Sequence, residues 1–375
     1  MQKSSGATPY RIRVLLPAAS PWNTSKMSSI VLKANGIVHS GWKSITVQRS
    51  LEQLADTFSL TLSERWADND RPRSIKVGSP CEIVIDDEKV ITGYVDDVYP
   101  NYDAETHDIE IVGRSALGDL VDCSLEDDKL NQLKDQTLDQ LARRVCKPFG
   151  IEVIVATDLG KPFKSPTIEA GQSPFEFLEQ YARSRAVRMV SDRDGNLVLT
   201  RTGTERIRTS LELGKNILIA SGEFTLRDRF DKYTILGQGA GGDLGFGPST
   251  SESKGTSTDS RVPRHRPMVS TAEGSVNNDD LKKRAQWERN TRFGRSQAIV
   301  YTVLGWRHAD GLWQPNTLVP VKDHYLDIDG DRLIVGVQFI MDEDGQRTEL
   351  QVMPEEAFDL IELPEPDADD GGFAL

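Results

Sequence analysis

Cysteine is scarce in this chain, and cationic charge is in deficit. The three cysteines among 375 residues, Cys81, Cys123 and Cys146, are odd in number and show no C-x-x-C spacing. Neither a zinc site nor a disulfide framework follows from them. Free cysteine is among the most buried residue types, so three buried thiols are expected. Lys and Arg number 45 against 58 Asp and Glu, a formal charge of -13. Holding phosphate needs clustered cations, so nucleic-acid binding is not the main task, although DNA could pass without being gripped. Long apolar runs are also missing. Val14-Leu15-Leu16-Pro17-Ala18-Ala19, after Arg11 and Arg13, imitates a secretory signal but is short and holds a proline. An export core needs roughly 7 to 15 apolar residues and a spanning helix about 20, so neither an export signal nor membrane insertion is expected.

The usual catalytic signatures are equally thin. His39, His107, His265, His308 and His324 are scattered, without H-E-x-x-H or a neighbouring metal-spaced cysteine. No G-x-S-x-G elbow and no P-loop occurs. Gly237-Gln238-Gly239-Ala240-Gly241-Gly242 satisfies G-x-G-x-x-G, with Asp259 beyond it, but Asp243-Leu244-Gly245-Phe246-Gly247-Pro248 starts no helix to receive a pyrophosphate. Asp327, Asp329 and Asp331 imitate a calcium loop, yet Arg332 and Gln338 stand where that loop needs Gly and Glu. A turn explains these aspartates more simply. No catalytic, cofactor-binding or metal-binding residue is assigned. A glycosidase-like carboxylate pair stays open, because sequence spacing is blind to it.

What is present is regular patterning. Thr137 with Gln140, and Ser173-Pro174 with Glu176, are helix starts. Leu138, Leu141, Ala142 and Val145 recur at helical spacing in one, and Leu178, Tyr181, Ala182 and Arg185 in the other, giving each helix an apolar stripe. Each helix leads into β-type sequence, at 151–155 and 187–191, the second continuing through Asp192-Arg193-Asp194-Gly195-Asn196 to 197–201. The shared pattern, Leu138-Asp139-Gln140-Leu141-Ala142-Arg143 and Leu178-Glu179-Gln180-Tyr181-Ala182-Arg183, marks one helix-strand unit used twice. Alternating apolar runs at 30–34, 45–49, 58–62, 82–85, 90–96 and 108–112 predict strands, with Asp86-Asp87-Glu88 as a hairpin connection. Lys282, Lys283, Arg284, Arg289 and Arg292 gather on a helix predicted at 279–293, with Arg295 just beyond; a solvated face is the simpler reading than a docking patch.

The fold class expected is α+β, mainly β: two β-barrel-like domains with an α/β insertion. The expected divisions are an N-terminal arm at 1–29, a first β-barrel-like domain at 30–115, an α/β domain at 116–215, and a second β-barrel-like domain at 216–358. The last is interrupted by a Gly/Ser/Thr-rich mobile loop at 238–262 and by the helix at 279–293, and an acidic flexible tail follows at 359–375.

A further set of motifs runs in order along the chain. It comprises Val112-Gly113-Arg114-Ser115, Asp119-Leu120-Val121-Asp122-Cys123, the two helices, Arg227-Asp228-Arg229-Phe230, Tyr233-Thr234, Lys254-Gly255-Thr256-Ser257-Thr258-Asp259, Arg264-His265-Arg266-Pro267-Met268, Gly305-Trp306 and Asp310-Gly311-Leu312-Trp313-Gln314-Pro315-Asn316. In this order the chain, from about Met27 to Phe358, resembles the baseplate hub proteins of Mu-like contractile-tailed bacteriophages, within the phage tail hub and late-control group. Residues 1–26 precede the resemblance and are either an added arm or an upstream start.

The resemblance implies a structural, non-enzymatic virion protein. In such hubs two similar β-barrel-like domains per subunit close into a ring-shaped homotrimer. That ring joins a hexameric tail tube to a trimeric spike around a channel for DNA. It further implies assembly in the host cytoplasm, with the tube, spike and other baseplate proteins as partners. The alternatives are a tail-associated peptidoglycan hydrolase, or the hub-like part of a bacteriocin or secretion-system spike. Because no helix follows the glycine pattern to cradle phosphate, neither ATP nor NAD should shift the thermal unfolding midpoint; a rise with either would restore a nucleotide site.

Overall fold

The computed structural model describes residues 11–13, 27–63, 75–105, 107–126, 134–237, 254–272 and 278–362. The fold is mainly β with a helical minority. Among the described residues its frame is a 14-stranded sheet, and none of their helices is long and apolar enough to cross a membrane. The first strands lie where alternation placed them, at Ile30–Ala34, Trp42–Ser50, Thr57–Ser63, Pro80–Ile85, Glu88–Tyr102 and His107–Ser115. Pro80–Ile85 turns into Glu88–Tyr102 through Asp86 and Asp87, at φ of 46° and 69°. Positive φ at both central residues marks the turn whose twist suits a two-residue hairpin.

The sheet contains the same strand arrangement twice. Across the first copy the neighbours are Trp42–Ser50, Thr57–Ser63, His107–Ser115, Glu88–Tyr102 and Pro80–Ile85. Across the second they are Ile217–Phe224, Gln297–Leu304, Gly345–Met353, Ile328–Asp342 and Leu318–Asp323, in the same order along the chain. The last three strands have 6, 15 and 9 residues in both copies. Irregularities fall at matching places. The ladder shifts between Trp42 and Ser44 in one copy and between Ile217 and Ile219 in the other, and between Val95 and Asp97 as between Ile334 and Gly336. A bulge flips the side-chain alternation beyond it, so shared bulges keep corresponding residues on corresponding faces.

Two insertions decorate this frame. Between the copies lie α1 (Gly118–Asp122), α2 (Leu138–Cys146) and α3 (Pro174–Arg183), packed with a sheet of Arg188–Ser191, Leu197–Thr200 and Val153–Val155. Both expected helix starts form: Thr137 N–H donates to Gln140 Oε1 at 3.0 Å, and Ser173 N–H donates to Glu176 Oε2 at 2.9 Å. The apolar stripes meet, with Leu138, Leu141, Phe177 and Leu178 all buried. The turn before Leu197–Thr200 docks on the first copy. Thr92 Oγ1 donates to the Arg193 carbonyl at 2.9 Å, and Lys89 pairs with Asp194 at 3.0 Å.

The second insertion corrects one expectation: residues 254–258, expected within the mobile loop, form a strand. Lys254–Thr258 and Pro267–Thr271 flank Lys232–Leu236 in a small sheet, covered by α4 (Asn278–Arg295). Composition hid this strand because its inward residues, Gly255 and Ser257, are small and polar or lack a side chain. The core here is Tyr233, Ile235, Leu281 and Ala285. The rest of the expected loop, 238–253, and of the tail, 363–375, lies outside the described residues.

Cys81 and Cys146 are buried as expected, and burial pushes both thiols up to about 12. Cys123 is exposed instead, since it follows the last turn of the short α1 and faces no core. Gly255 marks the tightest contact of the second insertion: a Cβ there would lie 2.1 Å from the backbone carbonyl carbon of Leu281 on α4. Replacing Gly255 by Ala should therefore destabilise the protein by about 1 to 3 kcal/mol, as overpacking does, measured by denaturant unfolding. An unchanged midpoint would show that α4 shifts freely on its strand.

Candidate assembly interface

The two copies of the strand arrangement meet along one backbone ladder. Trp42–Ser50 of the first pairs antiparallel with Ile328–Asp342 of the second, from Gly336 opposite Ser50 to Met341 opposite Ile45. Alternation on both strands sends Val47 and Phe339, directly opposed, into the core. Full burial of side chains of this size contributes roughly 1.5 to 3 kcal/mol each. Leu51 N–H extends the ladder to the Val335 carbonyl at 2.8 Å, and Leu51 packs with Leu333, Val335 and Met353.

Side chains lock the junction from both flanks. Trp306 is 1% exposed, stacks edge-on to Phe339 and donates Nε1–H to the Ile340 carbonyl at 3.0 Å. Its neighbour Arg307 reaches the hairpin turn of the other copy, pairing with Glu88 and with Asp86. Ser28 and Gln346 exchange two hydrogen bonds, of 2.8 and 2.6 Å. Arg49 Nε donates to Asp56 Oδ2 at 3.1 Å, with side-chain exposures of 12% and 4%. Burial raises the Asp56 pKa, against the pull of Arg49.

Two groups of the residues carrying the resemblance cluster in space. Trp306, Asp310, Trp313 and Asn316 lie in the connection beside this junction, where Asn316 Oδ1 accepts from Gly203 N–H at 2.7 Å and Asp310 pairs with Arg208. The other group surrounds the small sheet. Asp259 there is 3% exposed and accepts from Arg229 Nη2 at 2.7 Å and Arg261 Nε at 2.8 Å. Burial alone would raise its pKa; the bonds from Arg261 and Arg229 overcome that and hold it below the usual carboxylate range. Arg261 also lies 3.4 Å over the Phe293 ring, and Arg266 donates to the Arg227 and Arg229 carbonyls. These arginines bind their own chain.

The basic helix follows the simpler reading in part. Arg284 and Arg292 both pair with Glu288, while Lys282, Lys283 and Arg295 are exposed. His308 packs against Trp313, and burial lowers its pKa; His265 lies 3.5 Å from Asp231, and His107 stacks on Tyr102. His39 is likewise lowered by burial, and His324 sits in the turn before Ile328–Asp342. No group of three metal-ligating side chains occurs among the described residues. Asp329 and Asp331 lie within Ile328–Asp342 rather than at a turn, Asp331 pairing with Arg206 at 2.7 Å; only Asp327 is at the bend. The glycine pattern beyond Gly237 lies outside the described residues.

A cavity of about 250 Å³ beside the junction is lined by Asp56, Glu88 and Asp192 among others. Each acid is committed: Asp56 to Arg49, Glu88 to Arg307, and Asp192 to the N–H groups of Asp194 and Asn196. Sequence reasoning missed the Arg49–Asp56 pair, and it reached the duplication only as what the resemblance implies. Neither leaves a mark in residue spacing, since the matching positions hold residues as unlike as Leu60 and Tyr301.

Comparison with known proteins agrees with this architecture along the chain. Residues 29–115 match the family described as Mu phage baseplate assembly protein GpP-like, N-terminal. Residues 117–201 match the second domain of baseplate hub protein gp44-like chains, and 278–361 the fourth domain of Mu phage baseplate assembly protein GpP. The baseplate hub protein gp44 of Escherichia phage Mu is 32% identical over 341 residues, spanning 88% of this chain and 89% of that protein. The crystal structure of the prophage MuSo2 43 kDa tail protein from Shewanella oneidensis is similar at 40% identity and a TM-score of 0.80, covering 89% of this chain and all of that one. A tail protein from Neisseria meningitidis MC58 is similar at 25% identity and a TM-score of 0.72, covering 89% and 98%.

Replacing Arg49 by Met should cost about 3 kcal/mol, because it leaves the Asp56 carboxylate buried and unpaired. The loss should be pH dependent. With its folded pKa raised further, Asp56 binds a proton more tightly folded than unfolded, so stability should fall as pH rises from about 4 until the folded pKa is passed. Denaturant midpoints across that range check this, and a loss independent of pH would show that Asp56 is not the orphaned group.

Proposed function

The chain belongs to the Mu-type family of phage tail baseplate hub proteins, and from that premise we propose that it acts as a symmetry adaptor between tail tube and spike. The duplicated strand arrangement carries this reading. Three chains, each contributing two like copies, present six similar units to a hexameric tube while keeping three-fold symmetry for a trimeric spike. Residues 30–115 and 216–358 hold the copies, 116–215 the α/β insertion, with an N-terminal arm before them and an acidic tail after.

The role is structural. The acids of the cavity at the junction are tied to cations or backbone donors, which disfavours a muralytic carboxylate pair. The acidic balance, -13 overall, suits a channel that DNA traverses without being held, since a basic lining would bind phosphate by counterion release. Partners are two further copies of the chain, the tube, the spike and other baseplate proteins. The protein acts in the virion tail after assembly in the host cytoplasm.

The solution mass should equal three chains, alone or with the spike protein added, and duplex DNA should bind only weakly at physiological salt. A monomer under both conditions would overturn the adaptor reading, and tight DNA binding would overturn the non-gripping channel. Purified protein should not solubilise peptidoglycan; robust hydrolysis lost on mutating a carboxylate pair would make it an enzyme.

A further inference from the structure

Arg188 opens the strand Arg188–Ser191 of the α/β insertion and extends its guanidinium to the short helix Glu355–Phe358. Nη2 donates to the Phe358 carbonyl at 3.2 Å, and the group lies 4.8 Å over the Phe358 ring. Its Nε is buried without a hydrogen-bond partner, and Nη1 has no acceptor among the described residues. Arg49 and Arg229 are also shielded from solvent, yet each holds an acid, Asp56 and Asp259. Arg188 forms no ion pair among the described residues. Burial, followed by the like charge of Arg295, lowers its pKa to about 10 against the pull of Glu52, so it stays charged at neutral pH. An enclosed cation without an anion carries an uncompensated desolvation cost.

A second cation borders the same spot. Gly294 on α4 lies so close to Glu355–Phe358 that a Cβ there would be 2.4 Å from the Ala357 nitrogen. This sets Arg295, the last residue of α4, beside the segment that Arg188 grips. Arg295 is exposed and has no acidic partner among the described residues. A cation at a helix C-terminus is favourable on its own account. A second one brought beside it from another element is not, since like charges repel.

We propose that Arg188 and Arg295 together bind an oxyanion of the phosphate class, taken from solution. A phosphate group carries roughly −1.5 to −2 charge near pH 7 and offers oxygens on several sides, so one ion balances two guanidinium forks. A single carboxylate would balance only one. The bound ion ties the α/β insertion to α4 across the small core to which Val190, Ala357 and Phe358 contribute. The site is independent of the symmetry-adaptor role.

Thermal unfolding of the full chain tests this, with inorganic phosphate replacing chloride at constant ionic strength. Phosphate strengthens apolar burial in any protein, so the informative quantity is the difference between wild type and variants. At phosphate well above its Kd, the wild-type midpoint should gain roughly 2 to 4 °C more than that of Arg295→Gln or Arg188→Met. Arg295 is exposed, so Arg295→Gln should fold normally. Lys282→Gln, which removes an exposed cation elsewhere on α4, should keep the full gain. In phosphate-free buffer Arg188→Met should melt no lower than wild type, because it deletes an unbalanced buried charge and keeps an apolar stem.

Equal gains in wild type, Arg188→Met and Arg295→Gln would overturn the site. A large loss of stability in Arg188→Met without phosphate would also overturn it, by showing that the Phe358 carbonyl and ring satisfy this arginine. A short DNA duplex, or acetate, should give no gain when phosphate is absent. A gain from the duplex would assign the pair to backbone phosphate, and a gain from acetate to a partner's carboxylate, and either would overturn the free oxyanion.

Discussion

An antiparallel strand has two edges of N–H and C=O groups, and each group left unpaired away from water carries a penalty comparable to a lost hydrogen bond. That constraint shapes the whole frame. Pairing Trp42–Ser50 with Ile328–Asp342 satisfies one edge from each copy of the strand arrangement and fuses two hydrophobic interiors into one core cluster. Arg307 and Gln346 then fasten side chains across the same line, while Trp306 and Arg49 brace it from within their own copies. The relation between the halves is thus fixed by a ladder rather than by side-chain contacts alone, so the halves cannot slide without a change of register.

The insertions depend on that frame. The α/β unit is held through its Asp192–Asn196 turn, where Asp192 Oδ1 gathers the N–H groups of Asp194 and Asn196, and Gly195 adopts a φ of 78°. A Cβ at Gly195 would lie 2.9 Å from the Thr92 carbonyl, so glycine allows the turn to seat on the first copy. The small sheet and α4 occupy the connection that is a short turn in the first copy, between Trp42–Ser50 and Thr57–Ser63. Elements are thus added where the repeat permits a longer connection, without disturbing its ladder.

The charged groups serve cohesion. Arg229, Arg261 and Arg266 close on Asp259 and on backbone carbonyls around the small sheet, and Tyr301 donates to the buried Asp323, whose other oxygen accepts from Tyr325 and Leu326. Burial, followed by the neighbouring Asp323 charge, raises the Tyr301 pKa. Groups satisfied in this way by their own chain stabilise a fold and leave little chemistry free for a substrate.

Local signals were legible in the sequence because their causes are local. Apolar alternation located the first strands, the Thr137 and Ser173 boxes located two helix starts, and Asp86-Asp87 marked a hairpin. The ordered motifs pointed to the hub family, and the comparisons agree. The strand Lys254–Thr258 was not legible, since Gly255 and Ser257 are buried by the close approach of α4 rather than by hydrophobicity. Nor was the duplication, which resides in strand order, bulge position and register. Only the tertiary structure decided those, because a ladder forms between backbones remote in sequence and accepts almost any side chains that suit its two faces.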